Sequence, residues 1–465
     1  MKMRIQVVVE ADDGTTAVQE VAEIAREDLR PDTVGLRLDE AKDLLRSVQQ
    51  VVVARQVADH LAQQTSCPWC SRPRSHKGAH TVVLRTLFGT LRLCSPRLYH
   101  CPCQVQSART FSPLAGALPE RTTPEVLYLE TKFAGLMSYG LTVRILEEVL
   151  PLGRPLSSEG VRNHTHRVAT RLEGELGEEQ AMFAEGCALD WAALPRPDLP
   201  LTVGIDGGYV HSAAQTSRRD GWFGAIVGKS VTAAGETKCF GFVQNYDTKP
   251  KRRLFEVLRS QGMQMNQQVT FLTDGGDDVR DLPLYLNPQA EHLLDWFHLT
   301  ARITVLRQHA KGLHASDGLP AADADTELER IKWYLWHGNV FRAMQETEAL
   351  TWRLESDDTL SASGRKLAKA LDEFLTYLRN NDASIPNYGE RWRNGEVIST
   401  AFAESTVNQV ISKRMVKKQQ MRWTPRGAHL LLQVRTRVLN DELQATFGRW
   451  YPAMNPGPSD RDVAA

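Results

Sequence analysis

The sequence predicts an α/β protein with two added parts, a cysteine-rich module before the α/β core and a long helical segment inserted after it. Five of the seven cysteines lie between positions 67 and 103, strand-like and helix-like patterns alternate from 199 to 300, and only helical patterns follow from 301 to 395. At roughly 100 to 200 residues per domain, a chain of 465 residues has room for about three domains. We therefore expect several functions in one chain.

The composition is typical of a globular protein. With 42% hydrophobic and 24% charged residues, the chain falls outside the disordered and membrane classes. No run approaches the roughly 18 apolar residues that a bilayer span needs, and the first residues lack the apolar region of a secretory signal. We therefore expect a cytoplasmic, nucleoid-associated protein with no membrane partner. Because 56 basic residues balance 56 acidic ones, only local basic clusters can indicate nucleic-acid binding.

Residues 1–65 are expected to form a short strand, from Ile5 to Val9, and a helix from about Leu38 to Gln64. Apolar residues recur at helical spacing in the second segment, which predicts an amphipathic helix that packs within the chain or in a dimer.

Residues 66–120 contain two close cysteine pairs, Cys67-x-x-Cys70 and Cys101-x-Cys103, on either side of an alternating stretch with a turn at Gly89. Each pair supplies two thiolates from one tight turn, as a four-coordinate structural Zn²⁺ requires. The pattern predicts a zinc-ribbon-like module; unligated buried thiols are the alternative. The module is also locally basic, which is typical of a surface that contacts phosphate groups. A solvated basic surface is the alternative. Spare ligand candidates are Cys94, His76, His80 and His100, and the basic residues are Arg72, Arg74, Lys77, Arg85, Arg92 and Arg97.

Residues 121–198 have helical patterns. Thr122 or Thr123 ahead of Pro124, and Ser157 or Ser158 further on, indicate helix starts. Three helices with a break before the last resemble a helix-turn-helix, an ordinary helical linker being the alternative. In the first case the last helix would present its polar residues to a DNA groove. Those residues are Arg162, Asn163, His164, His166 and Arg167.

Residues 199–300 contain three strand patterns, a helix and a fourth strand, followed by a fifth. This is the order of an RNase H-like core, in which the first and fourth strands are neighbours. Asp206 and Asp274 end those two strands and are each followed by glycine, which lets the backbone turn sharply and leave the carboxylate exposed. We therefore expect the two carboxylates to meet at one edge of the sheet.

Two neighbouring carboxylates favour Mg²⁺ (or Mn²⁺), which prefers oxygen ligands and keeps positions open for water and phosphate. A pair of such ions can promote in-line displacement at phosphorus. A third carboxylate is normally required, and Glu404, at the start of a helical pattern in residues 396–445, is the candidate. Asp295 and His298 form a D-x-x-H pair after the next strand. Asp295 is the alternative second metal ligand. His298 is expected to steer the scissile phosphate or to hydrogen-bond a ligand carboxylate; a structural histidine is the alternative.

The long separation of Asp274 from Glu404 leaves room for the α-helical insertion at 301–395, whose aromatic residues are expected to be core. A basic run after Glu404 is expected to contact DNA phosphates, with Trp423 stacking on an unpaired base. A solvated amphipathic helix is the alternative. The basic run comprises Lys413, Arg414, Lys417, Lys418, Arg422 and Arg426.

Residues 446–465 are expected to form a C-terminal tail.

Three segments, VGIDGGYV, FLTDGG followed by LLDWFHL, and AESTVNQVISKRMVKKQQMRW, resemble the catalytic blocks of bacterial insertion-sequence transposases of the ISKra group, which are similar to Mutator-like elements. The resemblance covers about residues 40 to 440. It implies DDE chemistry at Asp206, Asp274 and Glu404, with the D-x-x-H feature at Asp295 and His298.

The same resemblance implies recognition of terminal inverted repeats, Mg²⁺-dependent DNA cleavage, and strand transfer by the freed 3′-hydroxyl. The partners would be double-stranded DNA, at element ends and target, and further copies of the chain in a homo-oligomer on DNA. Two other functions stay open: a domesticated DNA-binding protein without turnover, and an RNase H-like nuclease acting in repair or on RNA.

Overall fold

The computed structural model describes residues 1–10, 14–103, 109–153, 155–184, 186–195, 201–214, 221–276, 286–287, 289–314, 317–356, 360–399, 401–416 and 421–454. The chain forms two compact units. The first comprises residues 1–168 and 441–465, and the second comprises residues 169–440.

The first unit contains two antiparallel sheets and a long helix. A two-stranded sheet of β1 (Lys2–Glu10) and β2 (Thr16–Ala25) precedes α1 (Leu38–Gln63), and a three-stranded sheet of β3 (His76–Thr86), β4 (Gly89–Tyr99) and β5 (Thr110–Phe111) follows. The turn between β3 and β4 comprises residues 87–88 and ends at Gly89, the first residue of β4, next to the predicted position. Val53 of α1 packs on Val82, Leu84 and Leu93 of this sheet, which gives the small module an apolar core.

Further helices, and the start of α5, complete the first unit in its described residues. They are α2 (Pro113–Ala117), α3 (Pro124–Leu136), α4 (Tyr139–Val149), α5 (Ser158–Glu175), which runs on into the second unit, and a C-terminal helix, Leu443–Trp450. Two predicted helix starts are found: Thr123 is the N-cap of α3, and the Ser157 hydroxyl accepts a hydrogen bond from the Gly160 N–H at 2.9 Å. The buried Glu130 of α3 bonds His164 of α5, which joins these helices.

The second unit is built on a five-stranded mixed sheet in the order β10-β9-β6-β7-β8. Strands β6, β7 and β8 are antiparallel neighbours, whereas β9 runs parallel to β6 and β10 parallel to β9. The first strand therefore lies beside the fourth, as predicted. The elements are α6 (Ala188–Ala193), β6 (Leu201–His211), β7 (Trp222–Val231), β8 (Thr237–Val243), α7 (Pro250–Ser260), β9 (Val269–Thr273) and β10 (Ala290–Leu294).

One face of this sheet packs on α7. Val203 and Ile205 of β6 and Phe271 of β9 are completely buried with Leu254 and Leu258 of the helix. Because side chains alternate along a strand, Asp206 and Gly208 lie on the opposite face.

A helical layer follows β10, in the segment where the insertion was predicted. Leucines at helical spacing form its own core, and Trp296 packs on Trp336 and Tyr388 with ring centroids 5.0 and 4.8 Å apart. Other aromatic residues of the layer are exposed, among them Trp333 and Trp352. The elements are α8 (Trp296–Ala310), α9 (Ala321–Trp336), α10 (Val340–Glu355), α11 (Ala362–Asn380), a 3₁₀ turn (Asp382–Ser384) and α12 (Tyr388–Arg393).

The second face of the sheet is covered by the last part of this unit. Helix α13 (Ala401–Val407) continues as a π-helix (Asn408–Val416), and α14 (Pro425–Leu439) follows. The π-helix is held by Arg435 of α14, which donates to the carbonyl oxygen of Val410 at 2.8 Å and to that of Gln409. Asn440, directly after α14, exchanges two 2.8 Å hydrogen bonds with the backbone of Cys239 in β8. None of the described helices is both long and apolar enough to cross a bilayer.

Candidate active site and metal centre

Three aspartates lie at one level of three neighbouring strands. Gly204 of β6 is opposite Leu272 of β9, and Thr273 of β9 is opposite Leu294 of β10. Continuing both registers brings Asp206, Asp274 and Asp295 into line. Because neighbouring strands are about 4.8 Å apart, the three residues form one row, which we call the carboxylate row.

The electrostatics of Asp206 reflect this arrangement. Burial raises the pKa of its carboxyl group, and the nearby Asp274 and Asp295 raise it further. The Gly207 N–H, which donates to Oδ1 at 2.7 Å, and His298 act in the opposite direction. Carboxylates that repel one another in a partly buried position are stabilised by a divalent cation, which offsets their charge. The row is therefore chemically suited to such an ion.

Asp274 is held by the turn that follows β9. Gly275 has a φ of +78°, and a Cβ atom there would lie 2.6 Å from both Asn381 Oδ1 and Leu294 Cδ1, so only glycine fits. The Gly276 N–H donates to Asp274 Oδ1 at 3.0 Å. The predicted turn after Asp274 is thus present.

The predicted turn after Asp206 is not found, because β6 continues through Gly207 to His211. Its glycines serve a different purpose. A Cβ atom on Gly208 would lie 2.9 Å from Ile411 Cδ1 and 3.1 Å from Val407 Cγ1. The missing side chain therefore allows α13 and the π-helix to pack closely on the strand two residues after Asp206.

Asp295 is fully buried and already engaged. Its carboxylate accepts from the Phe297 N–H at 2.9 Å, which caps α8, and its Oδ2 lies 3.6 Å from Nε2 of His298. Its backbone N–H donates to Thr273 O at 2.8 Å and so extends the β9–β10 ladder. Asp274 is only half-buried and is more accessible to an ion than Asp295.

Glu404 lies in α13, one turn before Val407. Its side chain is outside the described part of the structure. Because Val407 packs at Gly208, the turn of helix that contains Glu404 belongs to the segment lying over β6.

The predicted DNA-contacting residues fall into two groups. Arg162 and Arg167 are exposed on α5, and Lys413 and Arg422 are also exposed. Arg414, by contrast, is completely buried with its Cζ 5.4 Å from the ring centroid of Trp423, which is only 4% exposed.

This burial does not fit the predicted phosphate and base contacts of Arg414 and Trp423. Successive residues of a helix point in different directions around its axis, so a run of basic residues on a helix that packs against the sheet places some of them inward. Trp423 is further fixed by backbone hydrogen bonds to His211 and Ala213, both of 2.8 Å. Lys417 and Lys418 lie outside the described residues.

The four cysteines of the two predicted pairs come together. Their sulfur atoms all lie within 4.8 Å of one another, with Sγ–Sγ distances of 3.5 Å for Cys67–Cys103, 3.4 Å for Cys70–Cys101 and 3.5 Å for Cys70–Cys103. A tetrahedral zinc ion with Zn–S bonds of about 2.3 Å has sulfurs about 3.8 Å apart. This four-cysteine cluster therefore fits a structural Zn²⁺, and the C-x-C spacing is compatible with it.

Backbone geometry positions the first pair. The Ser71 N–H donates to Cys67 O, and the Cys67 N–H donates to Arg72 O, both at 2.9 Å, while Ser71 adopts a left-handed φ of 57°. Burial would raise the pKa of the Cys67 thiol, but N–H groups of Trp69 and Cys70 and the neighbouring thiols lower it to about 6. The other three thiols raise the pKa of Cys103 to about 12.

The spare ligand candidates have other surroundings. His80 Nε2 lies 3.5 Å from Ser112 Oγ, the His100 ring lies 4.7 Å from that of Phe111, and Cys94 is exposed on β4.

A second group of potential ligands was missed by sequence reasoning. Glu173, Asp247 and His429 also place ligand atoms within 4.8 Å of one another. The guanidinium of Arg253 lies among them and donates to both carboxylates at 2.9 to 3.1 Å. Its charge offsets part of theirs, and its hydrogen bonds occupy their oxygens, so this group is an internal ion-pair network. Asp247 follows β8, but its partners Glu173 and His429 are distant in sequence, so no local pattern marks the group.

No family model matches the chain, and no curated protein matches it. Among solved structures, a "Drosophila P element transposase strand transfer complex" matches with a TM-score of 0.23 and 10% identity, over 70% of this chain and 80% of that chain. A TM-score of this size does not establish a shared fold.

Proposed function

We propose that the chain is a DDE-type DNA transposase that binds the terminal inverted repeats of a mobile element and catalyses metal-dependent DNA cleavage and strand transfer. The observation that carries the proposal is the carboxylate row, in which Asp206 and Asp274 lie at the same level of neighbouring strands beside a helix that contains Glu404. The sheet order, with the first strand beside the fourth, supports assignment as an RNase H-like core.

Asp206 and Asp274 are the proposed ligands for Mg²⁺ or Mn²⁺, with Glu404 as the third carboxylate. Bound ions would activate the attacking oxygen and stabilise the leaving oxygen. We assign Asp295 a positioning role, because its carboxylate caps α8 and lies beside His298. His298 would then face the phosphate held at the row.

DNA contacts are proposed for exposed basic residues. On α5 these are Arg162 and Arg167; Lys413 and Arg422 lie near the sheet, and Lys417 and Lys418 remain proposed members of that group. The four-cysteine cluster would hold Zn²⁺ as a structural ion. Arg414 and Trp423 are left out because they are buried. Assembly of several copies on DNA is part of the proposal.

The test uses the full chain, Mg²⁺ and labelled duplexes that carry the inverted repeats flanking the gene. We expect Asp206→Asn and Asp274→Asn to abolish cleavage while binding, measured with Ca²⁺ in place of Mg²⁺, is retained. Asp372→Asn is the matched control, since it removes an exposed carboxylate of α11.

Cleavage that persists unchanged in Asp206→Asn would refute the assignment. Wild-type protein that cuts but yields no joined product would be a nuclease, and protein that binds the repeats without cutting would be a domesticated DNA-binding protein.

A further inference from the structure

Arg302 places a permanent positive charge beside the carboxylate row. It lies on α8 one turn after His298, so both residues are on the same face of the helix. Its Cζ is 3.9 Å from the ring centroid of Tyr377 on α11, and its side chain is exposed. Stacking on an aromatic face fixes the plane of a guanidinium group and so orients its N–H donors.

Tyr377 connects this cation to the row. Its hydroxyl donates to the backbone oxygen of Asp274 at 2.8 Å. Burial raises the pKa of Tyr377 to about 12, with Asp274 and Asp295 adding to the rise and Arg302 opposing it. The phenol therefore stays protonated, and remains a donor, across the neutral pH range.

Arg302 differs from its helix neighbour in its partners. Arg307, further along α8, is paired with Asp325 at 2.6 Å and Glu329 at 2.7 Å. Among the described residues, none of the ion pairs involves Arg302. A guanidinium that is oriented by an aromatic ring, exposed to solvent and not neutralised by a carboxylate is suited to bind an anion.

We propose that Arg302 binds a phosphodiester group of the nucleic-acid strand held at the carboxylate row, and that Tyr377 positions both Arg302 and Asp274. The inference rests on the proposed function, because it takes the row to be the place where a DNA strand is cut. The guanidinium contacts non-bridging phosphate oxygens through two N–H groups, whereas Tyr377 acts through its neighbours and does not touch the DNA.

Binding gives the first test. With Ca²⁺ replacing Mg²⁺, affinity for element-end duplex is measured against salt concentration for wild type and Arg302→Gln. Each phosphate contact contributes about 0.9 to the slope of log K against log salt, so the slope should fall by about 1. Arg379→Gln is the matched control, because Arg379 is an exposed arginine of α11 that is paired with Glu348. Its slope should equal that of wild type.

Kinetics give the second test. We expect Arg302→Gln to raise KM about tenfold, since one charge-assisted contact contributes on the order of 1.5 kcal/mol, and Arg302→Lys to recover part of this loss. Tyr377→Phe keeps the ring under the guanidinium but loses the hydrogen bond to Asp274, so kcat should fall several-fold with KM and salt slope unchanged.

The outcomes separate the two proposals. Wild-type protein that binds and cuts DNA, together with an Arg302→Gln variant whose slope and KM are unchanged, overturns the role of Arg302 and leaves the proposed function intact. A Tyr377→Phe variant with normal kcat overturns the positioning of Asp274 by the Tyr377 hydroxyl. If wild-type protein neither binds nor cuts the element ends, both proposals fall.

Discussion

Adding one methyl group to Gly208 should impair the site without altering a proposed metal ligand. The new Cβ of Gly208→Ala would lie 2.9 Å from Ile411 Cδ1 and 3.1 Å from Val407 Cγ1, where ordinary van der Waals contacts begin at 3.4 Å. Ile411 is only 1% exposed, so its side chain has little space into which to rotate. The helix must therefore move outwards by a few tenths of an ångström.

Two magnitudes follow from this geometry. Overpacking a well-packed contact costs about 1 to 3 kcal/mol of unfolding free energy. A displacement of about 1 Å in an active site costs on the order of 100-fold in rate, so a shift of about half that size should cost about tenfold. Gly208→Val, which adds two more methyl groups, should reduce both quantities further.

Gly207→Ala is a matched control in the same strand. Its Cβ would have Ile226 Cδ1 as its nearest neighbour at 3.9 Å, an ordinary contact. Unfolding is measured by urea denaturation, and activity by the Mg²⁺-dependent cleavage rate on element-end DNA. If Gly208→Ala cleaves at the wild-type rate and keeps the wild-type denaturation midpoint, the close packing of this helix on β6 is not what forms the site. A loss of the same size in Gly207→Ala would also contradict the reasoning, because no helix is displaced there.

Three further predictions concern metal, backbone and pH. Cys103→Ser should lose bound zinc, measured as metal per chain, whereas Cys94→Ser should keep it because Cys94 lies outside the four-cysteine cluster. Ser71→Gly should raise the unfolding free energy of the zinc-loaded protein by about 1 kcal/mol, seen as a higher denaturation midpoint, because φ is 57° at this position. Burial opposes ionisation of Glu173, but hydrogen bonds from His429 and Arg253 outweigh it and lower its pKa from 4.5 to about 2. Its charge therefore stabilises the fold above about pH 4.5, and this contribution is lost as the pH falls through about 2. Urea unfolding should show that Glu173→Gln lowers the unfolding free energy by less and less as the pH falls from 4.5 to about 2. A difference between variant and wild type that stays constant over this pH range would contradict the assigned cause.

The adjacency of the first and fourth strands was predictable because it depends on local patterns. Runs of strand-forming residues, one intervening helix and an aspartate-glycine pair in or directly after each of the two strands were sufficient to predict that Asp206 and Asp274 approach each other, although β6 continues beyond Asp206. The cysteine pairs were predictable for the same reason, since each pair lies within one turn and only the meeting of the two turns is a long-range event.

The register of β10 could not be predicted in this way. Asp295 completes the carboxylate row only because Leu294 pairs with Thr273, and a shift of one residue would have turned its side chain to the other face. The hydrogen bond of Tyr377 could not be predicted either, because 103 positions separate this residue from the backbone oxygen to which it donates. Nothing in the sequence around Tyr377 distinguishes it from the core aromatics of the helical layer.

The largest departure from the sequence prediction lies in the basic run after Glu404. The prediction treated the basic residues from Lys413 to Arg422 as one group that contacts DNA. Arg414, in the π-helix, instead faces inward, where it packs over Trp423. Its neighbour Lys413 remains exposed. Of these basic residues, Arg414 therefore contributes to the packing of the interior, whereas Lys413 contributes to the surface.

The bonds between Cys239 and Asn440 connect positions that are 201 residues apart, and this has a consequence for synthesis. At about 5 to 20 residues per second, β10 leaves the ribosome roughly 5 to 20 seconds before Glu404 does, and roughly 7 to 30 seconds before Asn440 does. Throughout the first of these intervals the face of the sheet that carries Asp206 has no covering helix and no Glu404 beside it. Fragments that terminate before Glu404 therefore lack a complete set of acidic groups, and the proposed cutting of DNA is confined to chains that extend beyond it.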